Sequence, residues 1–305
     1  MSNRILFFGN ERLATGVSTA SPMLRALVAA GYEVAAVVVA QAEAGQSRQS
    51  RQLEIAAAAE ENNIPVISPE NINKAVDEIA AFDARAAVLV AYGKIVPPQV
   101  LDLFPRGIVN IHPSLLPRHR GPIPIESVIL NGVTETGVSL MKLSPEMDAG
   151  PVYVQEAVQL NGSETKQDLA DKLALLGKDM LLDKLPMILD GSLEPSEQND
   201  SEATYDKPLE KRHSELDFSK PAEQLSREIR AYAGWPRSRT KIGSTDVIIT
   251  STQPGKGSGK PGEIKVEDKQ LVISTSDGDL IIESLIPSGK KMMTSREFLA
   301  GYRIG

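Results

Sequence analysis

The chain has 305 residues, no cysteine and a formal net charge of −7. This length is enough for one large domain or two of medium size. The lack of cysteine excludes disulfide bonds, thiolate-bound zinc, iron–sulfur clusters and a thiol nucleophile. No apolar run reaches the roughly 18 residues that span a bilayer, and the apolar start is too short for a signal peptide, so we expect a cytoplasmic protein without a membrane segment.

The first half of the chain alternates continuous apolar runs with helical patterns, which is typical of a parallel sheet covered on both faces. The predicted strands are Arg4–Gly9, Tyr32–Val39, Val66–Ile67, Ala86–Ala91, Gly107–His112 and Gly137–Leu143. The predicted helices are Ser21–Ala30, Leu53–Asn62, one that begins at Pro69, and Thr165–Asp190. We therefore expect an α/β domain with a doubly wound, mostly parallel sheet over residues 1–192.

The pattern changes after this domain. A polar, proline-containing stretch predicts a linker over residues 193–205. Residues 206–305 begin with an amphipathic helix at Pro221–Ala233 and continue with short, evenly spaced β-rich runs, which predict a small barrel. These runs are Thr245–Thr252, Gly262–Val266, Gln270–Thr275 and Asp279–Ile286, with a mobile loop predicted at Gln253–Gly262.

Charge is distributed unevenly between the two parts. Residues 1–205 carry 16 basic and 26 acidic side chains, whereas residues 206–305 carry 17 basic and 14 acidic ones. An ordinary solvated surface can carry such a small positive excess, and the excess also fits a polyanionic substrate. Charge alone leaves both interpretations open.

The densest unusual segment reads Asn-Ile-His-Pro-Ser-Leu-Leu-Pro over residues 110–117. Asn110 and His112 are two residues apart on a predicted strand, so they project from the same face. They lie at the carboxyl end of a parallel strand, which is where open α/β sheets bind ligands. Pro113 lacks a backbone donor and ends the strand. The segment predicts a ligand site or, alternatively, a histidine that only satisfies local hydrogen bonds.

A second candidate is Asp148, which lies in a loop between two apolar runs, two residues before Gly150. Asp-x-Gly is common in turns, so this motif alone is more often structural than functional. The three histidines, His112, His119 and His213, show no metal-ligand spacing, and we expect no metal. The first strand is not followed by Gly-x-Gly-x-x-Gly, so no nicotinamide cofactor is implied.

Taken in order, these motifs resemble the folate-dependent formyltransferases. The shared features are the motif at residues 110–117, Arg-Gly at 120–121, Thr-Gly-Val at 136–138 and Asp-x-Gly at 148–150. Further stretches resemble the branch of that family that acts on methionyl-tRNA. They are residues 91–97, 230–236, 262–264, 277–278 and 287–292. The resemblance runs from about residue 86 to the C-terminus.

The resemblance implies that Asn110, His112 and Asp148 are the catalytic residues. Asn110 and His112 would donate hydrogen bonds to the oxyanion of formyl transfer, and Asp148 would accept a hydrogen bond from the amine or from His112. The implied folate pocket is lined by Tyr92, Gly93, Lys94, Ser114, Leu115, Leu116 and Pro117. The implied fold is a Rossmann-like formyltransferase domain followed by an oligonucleotide-binding-type (OB-like) barrel.

The activity implied by this resemblance is transfer of the formyl group of 10-formyltetrahydrofolate, as co-substrate, to the α-amine of initiator methionyl-tRNA for translation initiation. We expect a monomer. Basic residues of the C-terminal part would contact tRNA phosphates; they are Lys256, Lys260, Lys290, Lys291 and Arg303. The catalytic residues leave two alternatives open, a formyltransferase for a small amine (glycinamide ribonucleotide or an amino sugar nucleotide) and a 10-formyltetrahydrofolate hydrolase.

Two segments depart from the family pattern. The family's first strand usually opens into a Gly-Thr/Ser-Pro turn, whereas this chain has Gly-Asn-Glu-Arg at residues 9–12. The family also tends to carry a basic, proline-containing loop after the second strand. The corresponding segment here, Ala40–Gln52, has only Arg48 and Arg51 as basic residues.

Overall fold

The computed structural model describes residues 3–40 and 54–304, which form two compact units. Unit 1 comprises Met1–Ile125, Thr134–Leu160 and Asp168–Lys207, and unit 2 comprises Glu126–Val133, Asn161–Gln167 and Pro208–Gly305. The domain limits predicted from the sequence stay predictions, and the predicted linker at residues 193–205 falls within unit 1. In the part of the chain that is described, no helix is long and apolar enough to cross a membrane.

Unit 1 is built on a seven-stranded, mostly parallel sheet. Its strands are β1 (Arg4–Gly9), β2 (Glu33–Val38), β3 (Val66–Ile67), β4 (Ala86–Val90), β5 (Ile108–His112), β6 (Glu135–Lys142) and β7 (Val152–Gln159). They lie in the order β3-β2-β1-β4-β5-β6-β7; the first five are parallel, and β6 and β7 run antiparallel to their neighbours. The central strands β4 and β5 are buried along their whole length, which explains their continuous apolar sequence.

The first six helices alternate with these strands. They are α1 (Pro22–Ala29), α2 (Glu54–Glu61), α3 (Val76–Ala80), α4 (Pro98–Leu101), α5 (Pro124–Asn131) and α6 (Lys166–Asp190). The helix predicted from Pro69 is a 3₁₀ turn at Ile72–Lys74 followed by α3. The Asn71 side chain accepts a hydrogen bond from the Asn73 backbone and caps this tight turn.

The strand order reverses between β1 and β4, which makes the carboxyl ends of these strands a topological switch point, the usual ligand position in such sheets. The backbones approach closely there. A Cβ atom on Gly9 would lie 1.9 Å from the Val90 carbonyl oxygen, and Gly9 has a φ of 111°. Only glycine fits this position.

Residues 208–304 of unit 2 form a six-stranded antiparallel sheet with two α-helices, and most of α5 also belongs to unit 2. The elements are α7 (Ala222–Ala231), β8 (Ser238–Ile242), β9 (Thr245–Gly255), β10 (Ile264–Glu267), β11 (Gln270–Ser274), β12 (Asp279–Pro287), β13 (Met293–Thr294) and α8 (Ser295–Gly301). The sheet order is β10-β11-β12-β9-β8, and β13 pairs with β12. Leu225 of α7 and Phe298 of α8 pack with the inward residues of these strands. The predicted fold class, a mostly parallel α/β sheet followed by a small β-rich part, is confirmed, and β9 extends to Gly255 into the predicted loop.

Unit 2 buries an ion pair. The side chains of Lys166 and Glu126 are 1% and 0% exposed, and Lys166 Nζ lies 3.5 Å from Glu126 Oε1. Lys166 Nζ also donates a hydrogen bond to the Trp235 carbonyl oxygen at 3.0 Å. Burial lowers the pKa of Lys166, because desolvation of the ammonium outweighs its attraction to Glu126. Each charge is tolerated inside unit 2 because the other compensates it.

Removing one member of this pair is expected to cost more than removing both. Lys166→Met leaves the Glu126 carboxylate buried without its counter-charge, so we expect unit 2 to lose about 3–5 kcal/mol of stability. Urea denaturation followed by circular dichroism measures the change. The double variant Lys166→Met/Glu126→Leu buries no charge and should recover most of the loss. Equal destabilisation of the single and double variants would contradict the charge argument.

Candidate active site

Strand β5 carries Asn110 and His112 into the interior of unit 1. Both side chains are nearly buried, with exposures of 6% and 5%. Asn110 lies opposite Leu89 of β4 and Met141 of β6, and His112 lies opposite Ser139. Two-residue periodicity along β5 puts the two side chains on one face of the sheet.

The hydrogen bonds of His112 define its tautomer. Nε2 lies 2.9 Å from the carbonyl oxygen of His119, and a carbonyl only accepts, so Nε2 carries the ring hydrogen. Nδ1 lies 3.7 Å from Asp148 Oδ1. In the neutral ring Nδ1 is therefore an acceptor that faces a carboxylate.

Asp148 is fixed in a loop between β6 and β7. Its φ is 50°, a left-handed conformation that Asp and Asn tolerate better than most residues. The Gly121 backbone donates a hydrogen bond to Oδ2 at 2.8 Å. Gln198 Nε2 donates to the main-chain carbonyls of Asp148 and Gly150, at 2.8 and 2.7 Å. One carboxylate oxygen is thus held by the backbone while the other faces His112.

The Asn110 side chain stands apart from these bonds. Within residues 3–40 and 54–304, its amide forms no hydrogen bond to another residue. A nearly buried amide without a protein partner is costly unless a ligand or water satisfies it. Its position next to His112 therefore fits a group that pairs with a bound polar atom.

The turn at Ser114–Pro117 is predicted to line the folate pocket. It is held by side chains of β6 and β7, namely Ser139 and Gln155. Ser139 Oγ donates to the Ser114 carbonyl at 2.6 Å and accepts from the Leu116 backbone at 3.1 Å. Gln155 Nε2 donates to the Leu116 carbonyl at 2.8 Å. Ser114 and Leu116 are buried, whereas Leu115 and Pro117 are half-buried. These bonds fix the shape of the turn.

The predicted pocket residues after β4 divide between core and surface. Tyr92 is buried, and its ring packs edge-on against Phe8 at 5.6 Å. Burial raises the pKa of Tyr92, since the phenolate is harder to form away from water. Gly93, with a φ of 74°, and Lys94 are exposed. Tyr92 is therefore part of the core beneath the topological switch point, whereas Gly93 and Lys94 lie at the surface.

Gln198, which contacts the Asp148 loop, and its partner Arg120 have no role in the predictions from sequence. Arg120 is 1% exposed, and its guanidinium donates to Gln198 Oε1, Tyr205 Oη and Asp200 Oδ1. In the sequence, only the Arg-Gly dipeptide at 120–121 indicates Arg120, and no motif indicates Gln198. Across the described residues, no group of three or more His, Asp or Glu side chains could hold a metal ion.

The unusual turn at residues 9–12 closes the N-terminus of α1. Glu11 is 1% exposed and accepts backbone hydrogen bonds from Met23 and Leu24, both at 2.9 Å. Rossmann-type domains often bind phosphate at this helix end, which here is occupied by the protein's own carboxylate. Burial raises the pKa of Glu11 to about 7, and the two backbone hydrogen bonds oppose this shift. The other departing segment, Ala40–Gln52, lies outside the described residues except for Ala40.

Sequence comparison places the chain among proteins that transfer formyl groups. The formyl transferase family profile matches residues 4–185, and that of the formyl transferase C-terminal domain matches residues 208–303. The chain belongs to the formyl transferase family, which confirms the resemblance seen in the motifs.

Within this family, the full-length similarity is to methionyl-tRNA formyltransferases. The protein of that name from Geobacter sulfurreducens is 32% identical over 306 residues, covering 99% of this chain and 94% of the relative. The one from Methylococcus capsulatus is 36% identical over 313 residues, covering 99% of each chain.

Solved structures share the fold. HypX from Aquifex aeolicus, in complex with tetrahydrofolic acid, aligns with a TM-score of 0.68 at 19% identity; the alignment covers 97% of this chain and 46% of HypX. This chain therefore spans about half the length of HypX. An N-formyltransferase from Helicobacter canadensis, in complex with folinic acid and dTDP-3-aminofucose, has a TM-score of 0.68 at 20% identity and coverages of 92% and 99%.

The buried Glu11 predicts a pH-dependent stability. Its pKa is about 7 in the folded protein and near 4.5 when exposed, so the folded state binds more protons between these values. Stability should therefore fall by roughly 3 kcal/mol as pH rises from about 4.5 to 7 and then level off. Glu11→Gln removes this contribution, so its stability should depend less steeply on pH. Urea unfolding from pH 5 to 8 compares the two slopes; parallel curves for both proteins would refute the assignment.

Proposed function

We propose that the protein transfers the formyl group of 10-formyltetrahydrofolate to the α-amine of initiator methionyl-tRNA, giving N-formylmethionyl-tRNA. The observation that carries the proposal is the His112–Asp148 pair beside Asn110 in a chain similar over its full length to methionyl-tRNA formyltransferases. The C-terminal match supports tRNA as the acceptor, because formyl chemistry alone would serve other amines. We expect the protein to act in the cytoplasm as a monomer.

The reaction needs a group that stabilises negative charge on the formyl oxygen. The amine nitrogen attacks the formyl carbon and forms a new N–C bond. The bond from that carbon to the folate nitrogen then breaks, and the proton lost by the amine is returned to the folate nitrogen. Between these steps the oxygen carries negative charge, which preorganised donors stabilise. We assign this role to the Asn110 amide, because it has no partner among the described residues.

His112 and Asp148 are suited to move the proton. The Nε2 hydrogen of His112 is bound to the His119 carbonyl, so Nδ1 and the Asp148 carboxylate are the sites left to accept a proton. When Nδ1 is protonated, the positively charged ring also stabilises the nearby oxyanion. The Asp148 carboxylate in turn stabilises the positive charge of the ring. This refines the role expected from the sequence, in which His112 donates a ring N–H directly to the oxyanion.

The folate co-substrate is assigned to the surface around the Ser114–Pro117 turn. Ser139 and Gln155 hold that turn in a fixed shape, and the exposed Gly93 and Lys94 follow β4 at the switch point. Such positions at the carboxyl ends of parallel strands are where open α/β sheets bind ligands. The Asn110 amide supplies a partner for the formyl oxygen.

Unit 2 is proposed to contact tRNA. Its five candidate phosphate-binding residues are all exposed; they are Lys256, Lys260, Lys290, Lys291 and Arg303. Lys256 and Lys260 lie in the loop between β9 and β10, and Lys290 and Lys291 follow the end of β12. These four lysines are therefore in loops that connect the strands of the sheet. Exposed basic side chains bind phosphates with a strong dependence on salt.

Formyl transfer from 10-formyltetrahydrofolate to initiator methionyl-tRNA tests the proposal directly. Asn110→Ala should lower kcat by about 10²–10³-fold, because one oxyanion donor is lost. Asp148→Asn should lower kcat by roughly 10²-fold or more. Asn tolerates the left-handed backbone of residue 148, so this change removes the charge without adding strain. Asp102→Asn, the same change at an exposed site, serves as the control.

The acceptor is tested in parallel reactions. Methionyl-tRNA should be formylated, whereas uncharged tRNA, glycinamide ribonucleotide and an amino sugar nucleotide should not. Formate release that is independent of any amine would identify a hydrolase, and transfer to a small amine alone would identify a different acceptor. Either outcome overturns the proposal.

A further inference from the structure

Segment 196–206 has little regular structure but is anchored to the rest of unit 1. It contains one short 3₁₀ turn at Asp200–Glu202. At its start, Ser196 exchanges two backbone hydrogen bonds with Val152, at 2.8 and 2.9 Å. Val152 is the first residue of β7 and follows directly after the loop that carries Asp148. The segment therefore begins next to the candidate site.

Gln198 connects the Asp148 loop to Arg120. Its Nε2 donates to the carbonyls of Asp148 and Gly150, and its Oε1 accepts from Arg120 Nε and Nη2 at 3.1 and 2.8 Å. A primary amide donates at one end and accepts at the other, which this position requires. Gln198 thus determines the main-chain path on both sides of Ala149.

The end of the segment holds His119. Thr204 Oγ1 accepts a hydrogen bond from the His119 backbone at 2.8 Å, and Asp206 Oδ2 lies 3.2 Å from His119 Nδ1. The Arg120 backbone adds bonds to Thr204 and Asp206, at 2.9 and 2.8 Å. His119 has a φ of 58°, a conformation that non-glycine residues rarely adopt. These contacts hold the strained residue whose carbonyl accepts the Nε2 hydrogen of His112.

We propose that segment 196–206 is a positioning element for the catalytic pair. Gln198 orients Asp148, and Thr204 with Asp206 orients the His119 carbonyl that sets the tautomer of His112. Both partners of the 3.7 Å contact between His112 and Asp148 are then aligned by one stretch of chain. Of the two experiments below, the kinetic one rests on the proposed formyl transfer, whereas the spectroscopic one requires no activity.

Gln198→Glu separates positioning from folding. The variant keeps an oxygen for Arg120 but replaces the donor to the Asp148 and Gly150 carbonyls with a second acceptor. We expect kcat for formyl transfer to fall roughly tenfold or more, with each KM within about twofold, because misplacement affects the reacting geometry rather than binding. In the Asp148→Asn background the same change should lower kcat by less than about twofold, since both act through one group. Gln99→Glu, the same change at an exposed position of α4 outside the segment, is the matched control.

Nitrogen-15 spectra of the imidazole rings test the His112 arm without any activity. The chain has three histidines, so His112→Gln and His213→Gln variants, each of which removes one set of signals, are enough to assign all three. We expect His112 to carry hydrogen on Nε2 in the native protein. Thr204→Val should change the His112 signals and leave those of His213 unchanged, and Thr204→Ser, which keeps the hydroxyl, should restore the native pattern.

The outcomes distinguish the two proposals. Absence of transfer by the native protein refutes the proposed function, and the ring spectra then still decide the positioning role. Equal loss of kcat by Gln198→Glu in both backgrounds, or His112 signals that Thr204→Val leaves unchanged, would overturn the positioning role. Circular dichroism of every variant at the assay temperature establishes that the compared proteins are folded.

Discussion

The buried guanidinium of Arg120 is the interaction on which the geometry of the candidate site depends. With 1% of its surface exposed, this cation needs its acceptors on Gln198, Tyr205 and Asp200, because an uncompensated buried charge costs several kcal/mol. The same Gln198 amide holds the Asp148 loop. Arg120, which has no direct part in the proposed chemistry, thus connects chain segments 78 positions apart through Gln198. The same contact helps to hold the Asp148 loop in place beside His112.

Much of the fold follows from sequence pattern alone. The central strands β4 and β5 are buried on both faces, so their continuous apolar runs identify them. The change from alternating strands and helices to successive short β-rich runs identifies the sheet of unit 2. The edge strand β7 could not be predicted in this way, because it is mostly half-buried or exposed and lacks a clear alternation. Helix α8 is short, and its start rests on a capping box between Thr294 and Glu297 rather than on apolar periodicity.

The candidate site was predictable to a lesser extent, for a physical reason. Strand periodicity is enough to put Asn110 and His112 on one face, whereas the approach of Asp148 depends on a loop whose path is decided by Gln198, 50 residues away. Glu11 shows the same limit. A glutamate in a polar turn normally indicates a solvated surface, and its burial here follows from the meeting of that turn with the first residues of α1. Contacts between distant polar groups leave no periodic trace in a single sequence.

Trp235 places the indole fluorescence of the protein in one of its two units. It is the single tryptophan of the chain, it lies in unit 2 with 37% of its surface exposed, and its carbonyl accepts the hydrogen bond of the buried Lys166. Indole fluorescence therefore follows one residue of unit 2, while far-ultraviolet dichroism sums over both units. Coincidence or separation of these two signals during unfolding distinguishes one cooperative transition from two. The native chain thus carries its own probe of how its two units are coupled, without any added label.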